Sequence, residues 1–270
     1  MEFDLYRNDG SILFTDKTYL QNMDNQTTAV VVSGFGYARS FRQLNSSHVA
    51  VVDRSRHCIK MVNREDNSNI ALAGICGTSG FVDGASAKFY LPCSIEVDER
   101  NPGHLLITED YNDALRSVDL SSGTVSTVIR TGFNYPRGLT WYNGRLLVCN
   151  ERYISEVSWS SNGIVTNHKL TSTTAYGYRD GDFFVARFDF PHEIKRIRDD
   201  LFLVADSNNN RLRLLNMSTR KVLPVCIGYS ASCITGTTLS HYPVSILISN
   251  EEVFIGGYKE IHKLTGKLVN

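Results

Sequence analysis

Short apolar runs that end in a polar turn recur along this chain. "ILFTDKTYLQNMD" (12–24), "VAVVDRSRHCIKMV" (49–62), "LLITEDYNDALRSVDL" (105–120), "LLVCNERYISEVSW" (146–159), "LFLVADSNNNRLRLL" (201–215) and "VFIGGYKEIHKLTG" (253–266) share one order: an apolar run, a polar turn, an alternating run. A period of two predicts strands, and the punctuating Asp, Asn and Gly predict turns between them. A further β-like run precedes five copies: "FRQL" (41–44), "PCSIEVD" (92–98), "PRGLTWY" (136–142), "PHEIKRI" (191–197) and "PVSILIS" (243–249). Four copies are followed by another: "TAVVVSG" (28–34), "NIALAG" (69–74), "TVSTVI" (124–129) and "KVLPVCIG" (221–228).

Four short strands per copy, with copies roughly 40 to 55 residues apart, is the spacing of propeller blades rather than of helical solenoids. The pattern therefore predicts an all-β chain: a six-bladed β-propeller of four-stranded antiparallel blades. It forms one domain over 1–270, with blades near 1–34, 35–74, 75–132, 133–174, 175–228 and 229–270. Asp206 and its counterparts Asp16, Asp53 and Asp110 are expected to end the second strand of a blade. There a short carboxylate accepts backbone N–H groups and closes the turn to the third strand. Asn150 and Gly257 stand at that place in the fourth and sixth copies. The first copy lacks a linker and the last has only "KLVN" for a fourth strand, so the expectation is a monomeric propeller excised from a longer chain.

Two linkers carry a more specific signature. "GFVDGASAKFYLP" (80–92) and "GYRDGDFFVARFDFP" (177–191) share Gly-aromatic-x-Asp-Gly, then Ala-x-Phe, then x-x-Pro. With the strands that follow, they resemble NHL repeats, most closely in the third and fifth copies. The resemblance implies an NHL-type propeller, a family used mainly as a recognition platform for proteins or RNA. A secreted branch similar to peptidyl-hydroxyglycine lyase is metal-dependent and enzymatic. Fold alone does not choose among these uses.

Charge narrows the choice. Formal net charge is zero, with 28 basic and 28 acidic residues, and no long run of one sign appears. A nucleic-acid partner calls for a broad basic field that this chain lacks, although Arg54, Arg56, Lys60 and Arg64 gather in the second copy. No apolar stretch is long enough to span a bilayer, and "MEFDLYRNDG" has neither a basic nor an apolar leader segment.

Six cysteines are present. Cys76 and Cys93 bracket one inter-blade loop and Cys226 and Cys233 lie on another, so two disulfides, Cys76–Cys93 and Cys226–Cys233, are expected to staple long excursions. Cys58 and Cys149 are read as packed thiols. That usage, with sequons at Asn25, Asn45 and Asn216, points to the extracellular or secretory space; the alternative is a reduced cytoplasmic protein.

The candidate chemistry sits where first strands open onto a shared channel mouth. Arg42, Arg137, His192 and Glu193 fall there, and two arginines with a histidine suit an acidic ligand. Tyr178, Arg179, Phe183 and Phe184 in the fifth linker offer an exposed apolar contact for a protein partner. Phe89 and Phe188, at the repeated Ala-x-Phe position, are expected to wedge between blades. No catalytic constellation and no zinc set is expected, because His48, His57, His104, His168, His241 and His262 scatter over different elements. No cofactor is implied; a structural calcium held by channel carbonyls would leave no trace in a sequence. The expected function is a non-enzymatic recognition module. The alternatives are a metal-dependent propeller lyase or hydrolase and an intracellular RNA-binding NHL domain.

Overall fold

"VAVVD", "LLITE", "LLVC" and "LFLVAD" are near-continuous apolar runs, the composition of a strand covered on both faces. The computed structural model describes residues 5–8, 11–16, 19–24, 27–172, 175–227, 242–249, 252–257, 261–264 and 268–269. In it those runs are strands, buried almost throughout. The fourth strands at Asn69–Ala73, Val125–Ile129 and Val165–Lys169 are half-exposed, so in those three sheets burial falls from the second strand to the fourth.

The chain divides into two compact units, residues 2–137 and 138–270. The first holds three four-stranded antiparallel meanders. They are β1 (Leu5–Asn8), β2 (Ser11–Asp16), β3 (Tyr19–Asp24) and β4 (Thr27–Ser33); β5 (Ala38–Gln43), β6 (His48–Asp53), β7 (Cys58–Asn63) and β8 (Asn69–Ala73); and β9 (Pro92–Val97), β10 (His104–Glu109), β11 (Ala114–Asp119) and β12 (Val125–Ile129).

The second unit opens with the meander β13 (Leu139–Tyr142), β14 (Arg145–Cys149), β15 (Ile154–Trp159) and β16 (Val165–Lys169). Next come β17 (Gly181–Asp182), β18 (Pro191–Arg198), β19 (Leu201–Asp206), β20 (Arg211–Asn216) and β21 (Lys221–Pro224), in sheet order β17-β21-β20-β19-β18. The remaining strands are β22 (Cys226–Ile227), β23 (Ser245–Ser249), β24 (Glu252–Gly256), β25 (Ile261–Leu264) and β26 (Leu268–Val269). β26 pairs with β22, whereas sequence order would have placed it beside β25. Among the described residues no helix is long and apolar enough to cross a membrane.

Sheets pack through the linker phenylalanines. Phe89 is fully buried among Ala50, Val52 and Ile59 of one sheet and Ile95, Leu105 and Ile107 of the next. Phe188 sits in the same way among Leu147, Ile154, Ile194 and Phe202. Both act as the expected wedges, each burial favouring the folded state by about 1.5–3 kcal/mol. The close approach of β13 to β18 requires a glycine: a Cβ on Gly138 would lie 2.6 Å from the Glu193 Cα.

The one disulfide among the described residues joins Cys58 to Cys76, Cα to Cα 5.1 Å, and Cys93 is a buried free thiol. The expected Cys76–Cys93 pairing is thus overturned. The reason is register: Ile59 pairs with Ala73, so the meander itself brings the start of β7 beside the chain that leaves β8. Cys149 is a buried free thiol, as expected. Cys233 lies outside the described residues.

Candidate functional site

The turn from the second to the third strand is built on a buried clamp. Glu109 ends β10 and Arg116 follows on β11; both are fully buried, with Arg116 Nη1 2.7 Å from Glu109 Oε2. The other Glu109 oxygen accepts the Tyr90 N–H at 2.5 Å and the Asn112 amide. Arg116 Nη2 reaches into the linker, donating to Asp83 at 2.6 Å and to the Val82 carbonyl at 2.9 Å. The Phe81 ring lies 4.5 Å from the guanidinium.

The second unit repeats this group by group. Arg213 donates to Asp206 and Asp180, each at 2.8 Å, while Asp206 accepts the Asp189 N–H at 2.9 Å and the Asn209 amide at 2.9 Å. Tyr178 takes the place of Phe81 over the guanidinium. Gly-aromatic-x-Asp is therefore a receptor for an arginine seven residues after the turn carboxylate. Burial raises the Glu109 carboxyl above its ordinary value and pushes Asp206 up to about 6, with the arginine opposing in each case.

These contacts correct the third copy. The counterpart of Asp206 is Glu109, not Asp110, because the β10–β11 register ends at Glu109 and Ala114. The turn carboxylate also does more than expected, since the N–H groups it accepts come from the linker ahead of the first strand. Asp53 likewise takes those of Gly36 and Tyr37, at 3.0 to 3.1 Å.

Asp110 points elsewhere, and around it the first unit gathers four segments. Arg54 Nη2 lies 2.5 Å from Asp110 Oδ2, Arg137 Nη2 3.7 Å from the same oxygen, and Arg54 Nη1 donates to the Leu91 carbonyl at 3.1 Å. Asp110 is fully buried, and its Oδ1 makes no hydrogen bond among the described residues.

Each segment also contributes an aromatic ring. His57 and Tyr90 are 5.6 Å apart, Tyr90 and Tyr111 5.1 Å, and Tyr111 and Tyr135 5.4 Å, with interplanar angles of 78°, 47° and 87°. Tyr90 is 38% and Tyr111 51% exposed. The His57 Nδ1 accepts the Leu91 N–H at 3.2 Å, which leaves the proton on Nε2. Burial and then the Arg54 charge hold its pKa below the ordinary value, so the ring is neutral at neutral pH.

Left-handed backbone occurs in these segments, as it does at Phe190 and Asn210 of the fifth sheet. His57, Leu91, Asp113 and Tyr135 have φ of 59°, 52°, 49° and 48°. Left-handed conformations at non-glycine residues cost about 1–2 kcal/mol each. Asp113 helps to fix them, accepting the Tyr135 N–H at 2.8 Å.

The residues expected at the channel mouth divide. Arg42 pairs with Glu96 near the C-terminal end of β5. Ala38 opposes Asp53 as Pro191 opposes Asp206, so Arg39, and not Arg42, is the counterpart of His192. Arg137 lies beside Asp110. His192 and Glu193 are buried at the start of β18, where a β-bulge interrupts the strict alternation that would send them to opposite faces.

In the fifth linker Tyr178 and Arg179 are exposed, while Phe183 is 0% and Phe184 77% exposed. Phe183 belongs to the core, which removes it as an exposed contact. Asn45 is exposed and Asn216 half-buried beside a shallow cleft of about 280 Å³; Asn25 lies outside the described residues.

Sequence reasoning missed His57, Tyr111, Tyr135, Arg54 and Asp110 as a group. Each sits in a turn beside a residue of known packing role, and no periodicity ties them together. The available signal was tyrosine in turns, at "EDYND" and "FNYP".

No protein-family model matches the chain, and its sequence has no match among curated proteins. Solved structures share its architecture. An auxiliary nutrient binding protein from Bacteroides ovatus matches with a TM-score of 0.74 at 14% identity, over 93% of this chain and 65% of that one. The nidogen/laminin complex matches at 0.67 and 12%, over 94% and 88%. Virginiamycin B lyase from Staphylococcus aureus matches at 0.64 and 16%, over 97% and 79%. These are β-propeller proteins, so the chain has a propeller-like all-β fold. It spans about two thirds of the nutrient binding protein's length.

Proposed function

We propose that this chain is a non-enzymatic recognition module of the NHL-propeller type. It works outside the cytoplasm and binds a protein or other extracellular ligand through loops held on a rigid sheet scaffold. The observation that carries the reading is the convergence of four turn segments, each bringing an exposed or half-exposed ring and a polar group, on the buried Asp110 and its half-buried partners Arg54 and Arg137. Loops fixed this firmly are what recognition by a preformed surface requires. Similarity to a nutrient binding protein and to a protein from the nidogen/laminin complex supports a binding role. The Cys58–Cys76 disulfide supports an oxidising compartment.

The basic cluster of the second copy gives RNA little purchase. Arg54 is engaged by Asp110, Arg56 donates to the Gly34 carbonyl at 3.1 Å, and Lys60 donates to the same carbonyl at 2.8 Å. The likeness to virginiamycin B lyase favours a second reading, a propeller enzyme. Elemental analysis separates the two, since a stoichiometric metal ion would favour the enzyme.

The direct test is crosslinking capture from an extracellular fraction with wild type, Arg137→Glu and Phe184→Ser, each checked for an unchanged unfolding profile. Loss of capture by Arg137→Glu supports the loop face. Unchanged capture by both variants removes it.

A further inference from the structure

We propose that the fifth linker binds an acidic segment of a protein partner, an inference that rests on the recognition role above and gives the partner its chemistry. Residues 179–187 form an excursion whose neck is an antiparallel bridge between Arg179 and Arg187. Two like charges directly opposite each other disfavour the folded chain. Neither guanidinium makes a hydrogen bond, an ion pair or a ring contact among the described residues. The neck itself is set from inside, where Arg213 Nη1 donates to the Arg187 carbonyl at 2.9 Å and Nη2 to the Arg179 carbonyl at 2.7 Å. The third linker is held in the same way, Arg116 donating to the Val82 and Lys88 carbonyls, and there a valine opposes a lysine. The scaffold thus uses the backbone of the neck and leaves its side chains open to choice. Opposed arginines need a reason outside the fold.

The tip of the excursion differs too. Ala85 and Ser86 stand between Gly84 and Ala87 in the third linker, whereas Asp182, Phe183, Phe184 and Val185 fill that place in the fifth. Phe183 turns into the core, which leaves Phe184 77% and Val185 37% exposed, with Tyr178 38% exposed at the neck. Arg220 lies 5.8 Å from the Phe184 ring, and Lys221 pairs with Asp182 across the sheet; both cations are exposed. Of the nearby acids, Asp180 is taken by Arg213 and Asp189 accepts from Asn208. That sets Asp182 alone against Arg179, Arg187, Arg220 and Lys221. In a chain of zero net charge this excess is local, and it selects an anion. Guanidinium forks suit carboxylates, while Phe184 and Val185 suit an apolar side chain among them. A sulfated sugar chain lacks the second element, and an acidic protein segment supplies both. Because the clamp fixes the neck beforehand, little ordering is left to binding.

The experiment titrates the 270-residue chain with a fluorescein-labelled decapeptide of glutamates around a central leucine pair, read by anisotropy. Counter-probes are the same peptide with glutamine for glutamate, the same with serine for leucine, labelled heparin and a labelled single-stranded RNA. The expected result is saturable binding of the glutamate–leucine peptide, weakened roughly tenfold or more by Arg179→Gln with Arg187→Gln and by Phe184→Ser. The arginine variant should unfold at the wild-type temperature or above it, because it relieves the opposed charges. A lower temperature would assign the pair to the fold and overturn the proposal. No binding at about 1 mM peptide, binding that survives either variant, or equal binding of the glutamine or serine peptide also overturns it. So does tighter binding of heparin or the RNA at the same arginines. Extracellular capture that stays sensitive to Arg137→Glu would then leave the recognition role standing with a partner of different chemistry.

Discussion

At the turn of the third sheet Tyr90 and Tyr111 meet ring to ring at 5.1 Å. At the matching register positions of the fifth sheet stand Asp189 and Asn208, joined by a hydrogen bond of 2.8 Å. The comparison extends outward. Tyr135 packs on Tyr111, while its counterpart Tyr242 hydrogen-bonds to Asn208; Asp110 engages two arginines, while its counterpart Ser207 donates to the Pro243 carbonyl. Beneath these exteriors the clamps are alike: Glu109–Arg116–Asp83 in one unit, Asp206–Arg213–Asp180 in the other. The same internal machinery thus supports a ring-lined surface in one place and a self-satisfied polar surface in the other. The clamp belongs to the scaffold, and the exterior is where the two copies have become different things.

That division can be broken most forcefully at the clamp. Arg116→Met leaves the buried Glu109 without its cation, and removing one partner of a buried pair costs about 3–5 kcal/mol. Arg213→Met should cost as much in the second unit, measured by denaturant unfolding. A loss under about 1 kcal/mol in either would mean that the linkers are held by something else. Next in size is the covalent link within the first unit. Cys58→Ala with Cys76→Ala releases a loop of sequence separation 18 and should lower stability by about 3 kcal/mol. Digestion without reductant should yield a peptide pair joined through Cys58 and Cys76, and a Cys76–Cys93 pair would refute the register argument.

A smaller effect separates the clamps by pH. Burial raises the folded Asp206 carboxyl to about 6, from an ordinary value of 3.8, so between those values the folded chain holds a proton that the unfolded chain has released. The stability contributed by that proton is full below about pH 4 and is lost as pH rises through about 6. The stability difference between wild type and Asp206→Asn should therefore shrink from pH 4 to pH 7, by roughly 1–3 kcal/mol. A flat difference would mean that Arg213 keeps the carboxylate ionised throughout. Smallest of all, Phe184→Ser should change stability by less than about 0.5 kcal/mol, because that ring is 77% exposed.

Much of the scaffold was legible in the sequence for plain physical reasons. Runs such as "LFLVAD" are short, β-rich and bounded by turn residues, the pattern of strands buried on both faces, and Pro, Gly, Asp and Asn punctuate them at blade spacing. Ala-x-Phe announced two core wedges, Phe89 and Phe188. Strand ends and register set the limit: the pattern points to Asp110 where Glu109 holds the clamp, to Arg42 where Arg39 is the counterpart of His192, and to Cys93 where Cys58 bonds to Cys76. β-Bulges at the first strands shift pairing by one position there, and no hydrophobic pattern records a bulge. Phe183 and Phe184 show the same limit: adjacent phenylalanines look alike in sequence, and only packing tells the core ring from the exposed one. The rings gathered around Asp110 are illegible for a different reason, since they lie on four turns that only the folded sheets bring together.

Exterior and clamp are separable parts of the third sheet. The decisive measurement puts the fifth sheet's exterior onto the third, as Tyr90→Asp with Tyr111→Asn, and follows both thermal unfolding and crosslinking capture from an extracellular fraction. The predicted result is a melting temperature within about 4 °C of wild type, a change of roughly 1 kcal/mol, with partner capture abolished. Unaltered binding, or a collapse of the fold as deep as that of Arg116→Met, would contradict it.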